Sequence, residues 1–232
     1  MQLIQQENFW LLYGAINMAL SKVDYNSLNV TAAASKALKW NSAADGFETG
    51  DVAGAMVLLE TQTASSSGTL DFTTGIDSTY DSYVFKFYDC HPSNDSVDFT
   101  VNFSVDTGSN YNVTKTTTFF ASYQNEAGDS VVLTYAADND LAQATGVQML
   151  VNAQGNGNDE SCAGTLTLFN PSSTTFVKHF IATSHRYYAG DYAIQDHMAG
   201  YCNTTSAVDA VQFKMSAGNI DAGQISLYGI TW

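Results

Sequence analysis

Basic residues are scarce in this sequence, which has 8 Lys and Arg residues against 23 Asp and Glu residues. The formal net charge is −15, and the sequence pI is about 4.2. Nucleic acids are held mainly through phosphate neutralisation by Lys and Arg, and these few basic residues, scattered from Lys22 to Lys214, form no cluster. Anionic membrane surfaces are disfavoured for the same reason. The composition therefore predicts that neither nucleic acid nor membrane is a partner.

Long apolar segments and cysteines are also few. No stretch approaches the roughly 20 apolar residues of a membrane span. The apolar run at the N-terminus carries Glu7 and lacks a cationic segment, so we expect no signal peptide and no Sec export. The 3 cysteines, Cys90, Cys162 and Cys202, are an odd number without CxxC spacing, which argues against a disulfide framework and a zinc site. We expect buried free thiols.

Catalytic motifs are missing as well, since no GxSxG, HExxH or His-x-His pattern occurs. His179 lies in an apolar segment, where we expect an inward or edge position. A second group is predicted to lie together on one loop surface, where it could perform acid/base chemistry in principle: His185, Arg186, Tyr187, Tyr188, Asp196 and His197. Without a nucleophile motif beside this group, we expect no enzyme.

Two pairs of acids need a separate interpretation. Asp138 with Asp140, and Asp159 with Glu160, are close in sequence, and a glycosidase needs two acids that face one cleft. Acids in Asn- and Gly-rich loops are more often solvated turn residues. Asn158, Asp159 and Glu160 are candidate calcium ligands because Ca²⁺ takes six to eight oxygens. No EF-hand spacing accompanies them, so we predict neither a metal nor another cofactor.

The first 40 residues have a helical pattern. Apolar residues recur near i, i+3, i+4 and i+7 from Gln2 to Lys22, and a second helix is predicted from about Thr31 to Trp40. The apolar stripe of the first helix is wider than one short helix would cover. It therefore needs a β-sandwich formed by residues 51–232, or another chain, as a partner. We predict that residues 1–50 form a helical docking and oligomerisation segment, with Phe9, Trp10, Leu11, Leu12 and Ile16 as its contact residues.

From about residue 55 the hydrophobic period changes to two. In Ser96–Asp106 the apolar residues alternate with polar ones, which predicts a strand with one core face and one solvent face. Residues 51–232 are therefore predicted to form a mainly β, antiparallel, jelly-roll-like sandwich. Leu141–Val151 is the only predicted helix within it. The other predicted strands are Tyr83–Cys90, Val113–Ala121, Ser130–Tyr135, Gly164–Phe169, Phe176–Thr183, Val208–Met215 and Gln224–Ile230.

Four segments carry a family resemblance: GIDSTYD at 75–81, FNPSS at 169–173, and SAGNIDAG at 216–223 ahead of LYGI at 227–230. With the strands around them, residues 55–232 resemble a β-sandwich domain of structural proteins in marine tailed phages, including those of cyanobacteria. The resemblance implies a virion component, in a tail appendage, a fibre or a capsid decoration. It implies no catalytic residue and no defined ligand site.

We therefore expect a virion structural protein that is assembled in the host cytoplasm and displayed on the phage particle. Its partners would be other copies of itself and other capsid or tail proteins. The alternative is a receptor-recognition module that binds host surface glycan through Tyr187, Tyr188 and Tyr192, because sugar sites combine aromatic platforms with planar polar groups.

Overall fold

The computed structural model describes residues 37–43, 45–50, 56–188 and 190–230. The chain divides into two compact units, with the boundary in the sequence between Ala55 and Met56. The described residues form strands β1 (Ala37–Trp40), β2 (Phe47–Gly50), β3 (Met56–Thr63), β4 (Leu70–Phe72), β5 (Ser82–Pro92), β6 (Val97–Ser104), β7 (Lys115–Asn125), β8 (Val131–Tyr135), β9 (Gln148–Gln154), β10 (Cys162–Phe169), β11 (Lys178–Tyr188), β12 (Tyr192–Cys202), β13 (Ala210–Met215) and β14 (Ile220–Ile230).

The first unit contains a hairpin of β1 and β2. The two strands pair antiparallel, and the rings of Trp40 and Phe47 stack across them with centroids 4.4 Å apart. The helix predicted from Thr31 to Trp40 is therefore wrong from Ala37 onward, because the turn before Phe47 closes a strand pair. The remaining helical prediction, with all five docking residues, falls outside the described residues.

From Met56 onward the described strands form two antiparallel sheets, which confirms the mainly β class. The larger sheet has 8 strands in the order β3-β14-β5-β10-β11-β12-β7-β8, and the smaller has 4 in the order β4-β13-β6-β9. Strands β3, β4 and β12 were not predicted from the sequence. The sheet neighbours are mostly distant in sequence, so the fold depends on long-range pairing.

One hydrophobic core lies between the two sheets. Phe85 of β5 contacts Phe213 of β13 with ring centroids 5.3 Å apart, and Phe103 of β6 contacts Phe180 of β11 at 5.0 Å. All four side chains are fully buried. The inner face of the larger sheet is thus covered by the smaller sheet, and its other face is turned outward.

Strand β6 corrects one prediction, because both of its faces are buried rather than one. Thr100, Asn102 and Ser104 should have faced solvent but are at most 4% exposed. The Asn102 amide donates to the carbonyls of Tyr111 (2.6 Å) and Thr145 (3.2 Å). Two loops therefore cover this face, and hydrogen bonds compensate for the burial of its polar groups.

The helix predicted over Leu141–Val151 is also wrong. Residues 141–147 are irregular, and Gln148–Gln154 forms β9, which pairs with β6 at the edge of the smaller sheet. Leu150 and Val151 are both fully buried, so the apolar content that suggested a helix belongs to a strand. Among the described residues, no helix has the length and apolar character to cross a membrane.

Candidate functional site

The outward face of the larger sheet carries the candidate site. Successive residues of a strand point to opposite faces, so the buried Phe180, Ala182 and Ser184 of β11 alternate with outward residues. The same alternation holds in β7 and β12. None of the described outward positions of these three strands carries Asp, Glu, Lys or Arg. The outward residues are Thr116, Thr118, Phe120, Ser122, Gln124, Ala193, Gln195, His197, Ala199, Tyr201, His179, Ile181, Thr183, His185 and Tyr187.

A shallow groove of about 440 Å³, here called groove A, crosses four strands of this face. Its floor is formed by residues of β7 and β12, among them Ser122 and Ala193. Its apolar wall is formed by Val131 and Leu133 of β8, which are 68% and 74% exposed. The register places Leu133, Ser122, Gln195 and His185 in one row. Groove A is lined by Ser122, Gln124, Leu133, His185, Ala193 and Gln195.

A second depression of about 450 Å³, groove B, lies on β7, β11 and β12. Its lining includes Thr116, Thr118, His179, Ile181, Ala199 and Tyr201. Between the grooves, the rings of Phe120 and His197 stack at 4.8 Å with an interplanar angle of 10°. The face therefore offers two hollows separated by a flat pair of rings.

The three tyrosines predicted to contact glycan do not share one face. Tyr187 lines a third depression of about 240 Å³, which shares Gln124, His185 and Ala193 with groove A. The Tyr187 hydroxyl donates to Asp191 Oδ1 at 2.6 Å. This hydrogen bond to a carboxylate raises the pKa of Tyr187 to about 12. Tyr188 belongs to the inward set of β11, where it lies beside the Arg186 guanidinium. Tyr192 contacts Tyr188 and Tyr123 edge-on and also lines this third depression.

The cluster predicted around His185 and His197 lies on strands, not on one loop surface. The two histidines face outward from β11 and β12, whereas Arg186 and Asp196 point inward and form a buried ion pair. Burial raises the pKa of Asp196 to about 6 although Arg186 opposes the shift. The sheet therefore separates these acid and base groups instead of joining them in one cleft.

His179 is exposed, so the expected inward or edge placement is wrong. Its neighbour Lys178 occupies the inward position and donates to the carbonyls of Phe176 (3.0 Å) and Thr204 (3.2 Å). His179 instead contacts Tyr201 edge-on at 6.4 Å within groove B.

The candidate calcium ligands lie in the turn between β9 and β10. Asn158 and Asp159 are exposed, whereas Glu160 is buried and accepts the Gly157 backbone N–H at 2.7 Å. Glu160 thus stabilises its own turn. In the described part of the chain, no three His, Cys, Asp or Glu residues are grouped so that they could hold a metal ion.

The three cysteines are buried and free, which confirms the prediction for the thiols. Cys162 lies opposite Cys90 in the pairing of β10 with β5. A hydrogen bond shared with Cys90 and, after it, burial raise the pKa of the Cys162 thiol. The Cys162 thiol is therefore held in its protonated, unreactive form near neutral pH.

Sequence reasoning missed Gln124, Leu133, Ala193 and Gln195 as site residues. β12 was missed because Asp196 occupies an inward position and interrupts the apolar alternation of Tyr192–Cys202. The outward residues of β12 still recur at every second position, as Gln195 and His197 do. This period of two was the sequence signal that could have identified the strand. Gln124 and Leu133 join it only through strand pairing.

Comparison with known proteins adds no function to this face. Neither a protein-family model nor a curated protein matches the chain.

Proposed function

We propose that this protein is a structural component of a tailed-bacteriophage particle, displayed at the particle surface in a tail appendage, a fibre or a capsid decoration. One observation carries the proposal: a chain of net charge −15 presents a broad sheet face whose described outward positions on β7, β11 and β12 have no fixed charge. Thr, aromatic and amide groups dominate this face. A stiff two-sheet module with such a face suits contact with large surfaces.

The proposed arrangement assigns attachment to the N-terminus and display to the sandwich. Residues 1–50 would dock onto the particle or a neighbouring copy through Phe9, Trp10, Leu11, Leu12 and Ile16, and other virion proteins would be the partners. The sandwich is proposed to be jelly-roll-like and to have no enzymatic activity. Symmetric self-association is the usual way to build such repeated surfaces.

The test is to locate the protein on purified phage particles. Mass spectrometry of gradient-purified particles should detect it at a fixed copy number, and gold-labelled antibodies against residues 56–232 should decorate tails or capsids. Particles from a phage lacking codons 2–50 should lose the protein while the host cells still contain it. Purified wild-type particles without the protein would overturn the proposal.

A second candidate function is recognition of host glycan, and the composition of groove A favours it. The amides of Gln124 and Gln195 provide paired donors and acceptors, and Leu133 offers an apolar wall. The ring of Tyr187 lies in the third depression, which shares lining residues with groove A. Sugars present both hydroxyl groups and apolar C–H surfaces, so a site of this mixed kind is chemically suited to them. A displayed virion protein and a glycan-binding module are compatible roles.

A further inference from the structure

Grooves A and B lie on one line along the strands, and their spacing points to a long ligand. Ala193 and Ala199, one in each groove, are separated by six residues of β12. At about 3.3 Å per residue, the groove centres are about 20 Å apart. A mono- or disaccharide is too short to occupy both, whereas an extended polysaccharide chain parallel to β11 and β12 is not.

The region between the grooves is suited to such a chain. The stacked rings of Phe120 and His197 lie in one row with Thr183 and Tyr135. A ring face can pack against the C–H face of a sugar, and the neighbouring Thr183 hydroxyl can hydrogen-bond to it. The stacked rings and Thr183 therefore continue the mixed polar and aromatic surface from one groove to the other.

The charges around the grooves specify a neutral ligand. The described outward residues of β7, β11 and β12 provide no Lys or Arg for a carboxylated or sulfated sugar, and Arg186 is turned inward toward Asp196. Lys86 is the nearest outward lysine in the larger sheet, on β5, with β10 between it and β11. Glu126 and Asp191 line the third depression, which shares Gln124, His185 and Ala193 with groove A, and would repel an anionic chain.

We propose that grooves A and B together bind a single, extended, neutral polysaccharide chain of a cell surface. The inference rests on the glycan-recognition role proposed above and goes further, because it specifies the charge, length and direction of the ligand. Occupying two grooves with one chain makes the second contact intramolecular, so affinity should increase steeply with chain length.

The experiment uses the full-length protein and calorimetric titration with a panel of neutral polysaccharides (dextran, laminarin, galactomannan) and the carboxylated alginate. Size-fractionated fragments of the best neutral binder then give the length dependence. We expect binding to at least one neutral polymer and no binding to alginate. Fragments long enough to span about 20 Å should bind at least tenfold more tightly than disaccharides.

Two substitutions fill the grooves without disturbing the core. Ala193→Trp and Ala199→Trp place a bulky side chain on the outward face in groove A and groove B respectively. Each should weaken binding of the long chain at least tenfold and remove its advantage over short fragments. Thr63→Trp, at an exposed position on the distant edge strand β3, is the matched control and should bind like the wild type.

Several outcomes would overturn the proposal. These are no binding to any neutral polymer, tighter binding to alginate, no length dependence, or unchanged binding in both groove variants. If sedimentation shows a dimer that Ala193→Trp dissociates, without glycan binding, the face is an interface between copies instead. None of these results affects whether the protein is found on purified particles, so the two proposals fail separately.

Discussion

Burial shifts the pKa of individual ionisable residues that lie between the two sheets. Lys115 is fully buried and donates to Asn102 Oδ1 (2.6 Å) and the Val113 carbonyl (2.7 Å). Cys202 lies between Lys115 and Lys178 in the pairing of three strands. Burial raises the pKa of the Cys202 thiol to about 12 and lowers the pKa of Lys115 to about 8. In each case burial destabilises the charged form.

Lys115→Met is expected to change how stability depends on pH. Burial lowers the pKa of Lys115 from 10.5 to about 8 in the folded protein, so the unfolded chain binds more protons between these values. The contribution of Lys115 to the free energy of unfolding therefore rises with pH between about 8 and 10.5. Below about pH 8 this contribution is constant and at its lowest value. The methionine variant should lack this contribution.

The measurement is urea unfolding of both proteins at intervals from pH 7.5 to 10.5. The stability difference between Lys115→Met and wild type should shift in favour of wild type as pH rises. Lys86→Met, at an exposed position, serves as the control and should show a constant difference. A constant difference for Lys115→Met would contradict the assigned burial of its charge.

The Cys90 and Cys162 pair is expected to form a disulfide when the protein refolds with oxidised glutathione. Their Cα atoms are directly opposite in antiparallel strands, where such atoms are about 4.5–5.5 Å apart, within the range that a disulfide spans. Each thiol gives up its hydrogen, and one glutathione disulfide is reduced to two glutathione molecules. Non-reducing peptide mapping should find the linked peptides.

Cys202 is the internal control for that reaction, because it lies opposite Lys115 and Lys178 instead of another cysteine. It should remain available to an alkylating reagent after denaturation. If all three cysteines of the oxidised sample are alkylated, the two strands do not place Cys90 and Cys162 within bonding distance.

At the scale of the elements, close strand contacts in the larger sheet depend on glycine at particular positions. β10 lies between β5 and β11, and its pairing with β5 shifts between Cys162 and Gly164. A Cβ atom at Gly164 would lie 2.3 Å from the Thr183 carbonyl oxygen and 2.6 Å from Phe87 Cζ. The backbone contact cannot be relieved by a rotamer change, so β10 requires glycine here.

Gly164→Ala should therefore lower the free energy of unfolding by about 1–3 kcal/mol, the usual cost of overpacking a core. Gly146→Ala is the matched control, since an added Cβ there meets nothing within 4 Å; its effect should stay within about 0.5 kcal/mol. Chemical denaturation of both variants gives the comparison. Equal stabilities would show that β10 can move away from β11.

At the scale of the whole molecule, the core and the proposed attachment function occupy different parts of the chain. The buried core residues run from Ala64 to Leu227, whereas the proposed docking residues precede residue 17. The charge is also unevenly distributed, because the net −15 is not carried by the described outward positions of β7, β11 and β12. The sandwich can thus present a neutral face within an acidic protein.

A chain that begins at Met56 is expected to fold as the sandwich does in the full-length protein. Its thermal midpoint should lie within a few degrees of the full-length value because all of the described core residues remain. A chain that lacks residues 220–230 should fail to fold, since β14 lies between β3 and β5 in the larger sheet. Calorimetry distinguishes these outcomes, and an unfolded 56–232 chain would show that earlier residues belong to the core.

Prediction from sequence succeeded where each face of a strand has one environment. The alternating residues of Ser96–Asp106 located β6, although the burial of its polar side was not predictable, because loops from elsewhere cover Asn102. It failed at Gln148–Gln154, where adjacent buried residues on both faces give no period of two. It also failed at β12, where Asp196 takes a core position.

The sequence alone determined the β class, the free and buried state of the cysteines, and the locations of most strands in the sandwich, because these follow from local periodicity and composition. Only the tertiary structure decided which outward residues meet in groove A. Gln124, Leu133, His185 and Gln195 lie on four different strands. Their assembly depends on long-range strand pairing and register, which are set by the packing of the whole core and not by neighbours along the chain.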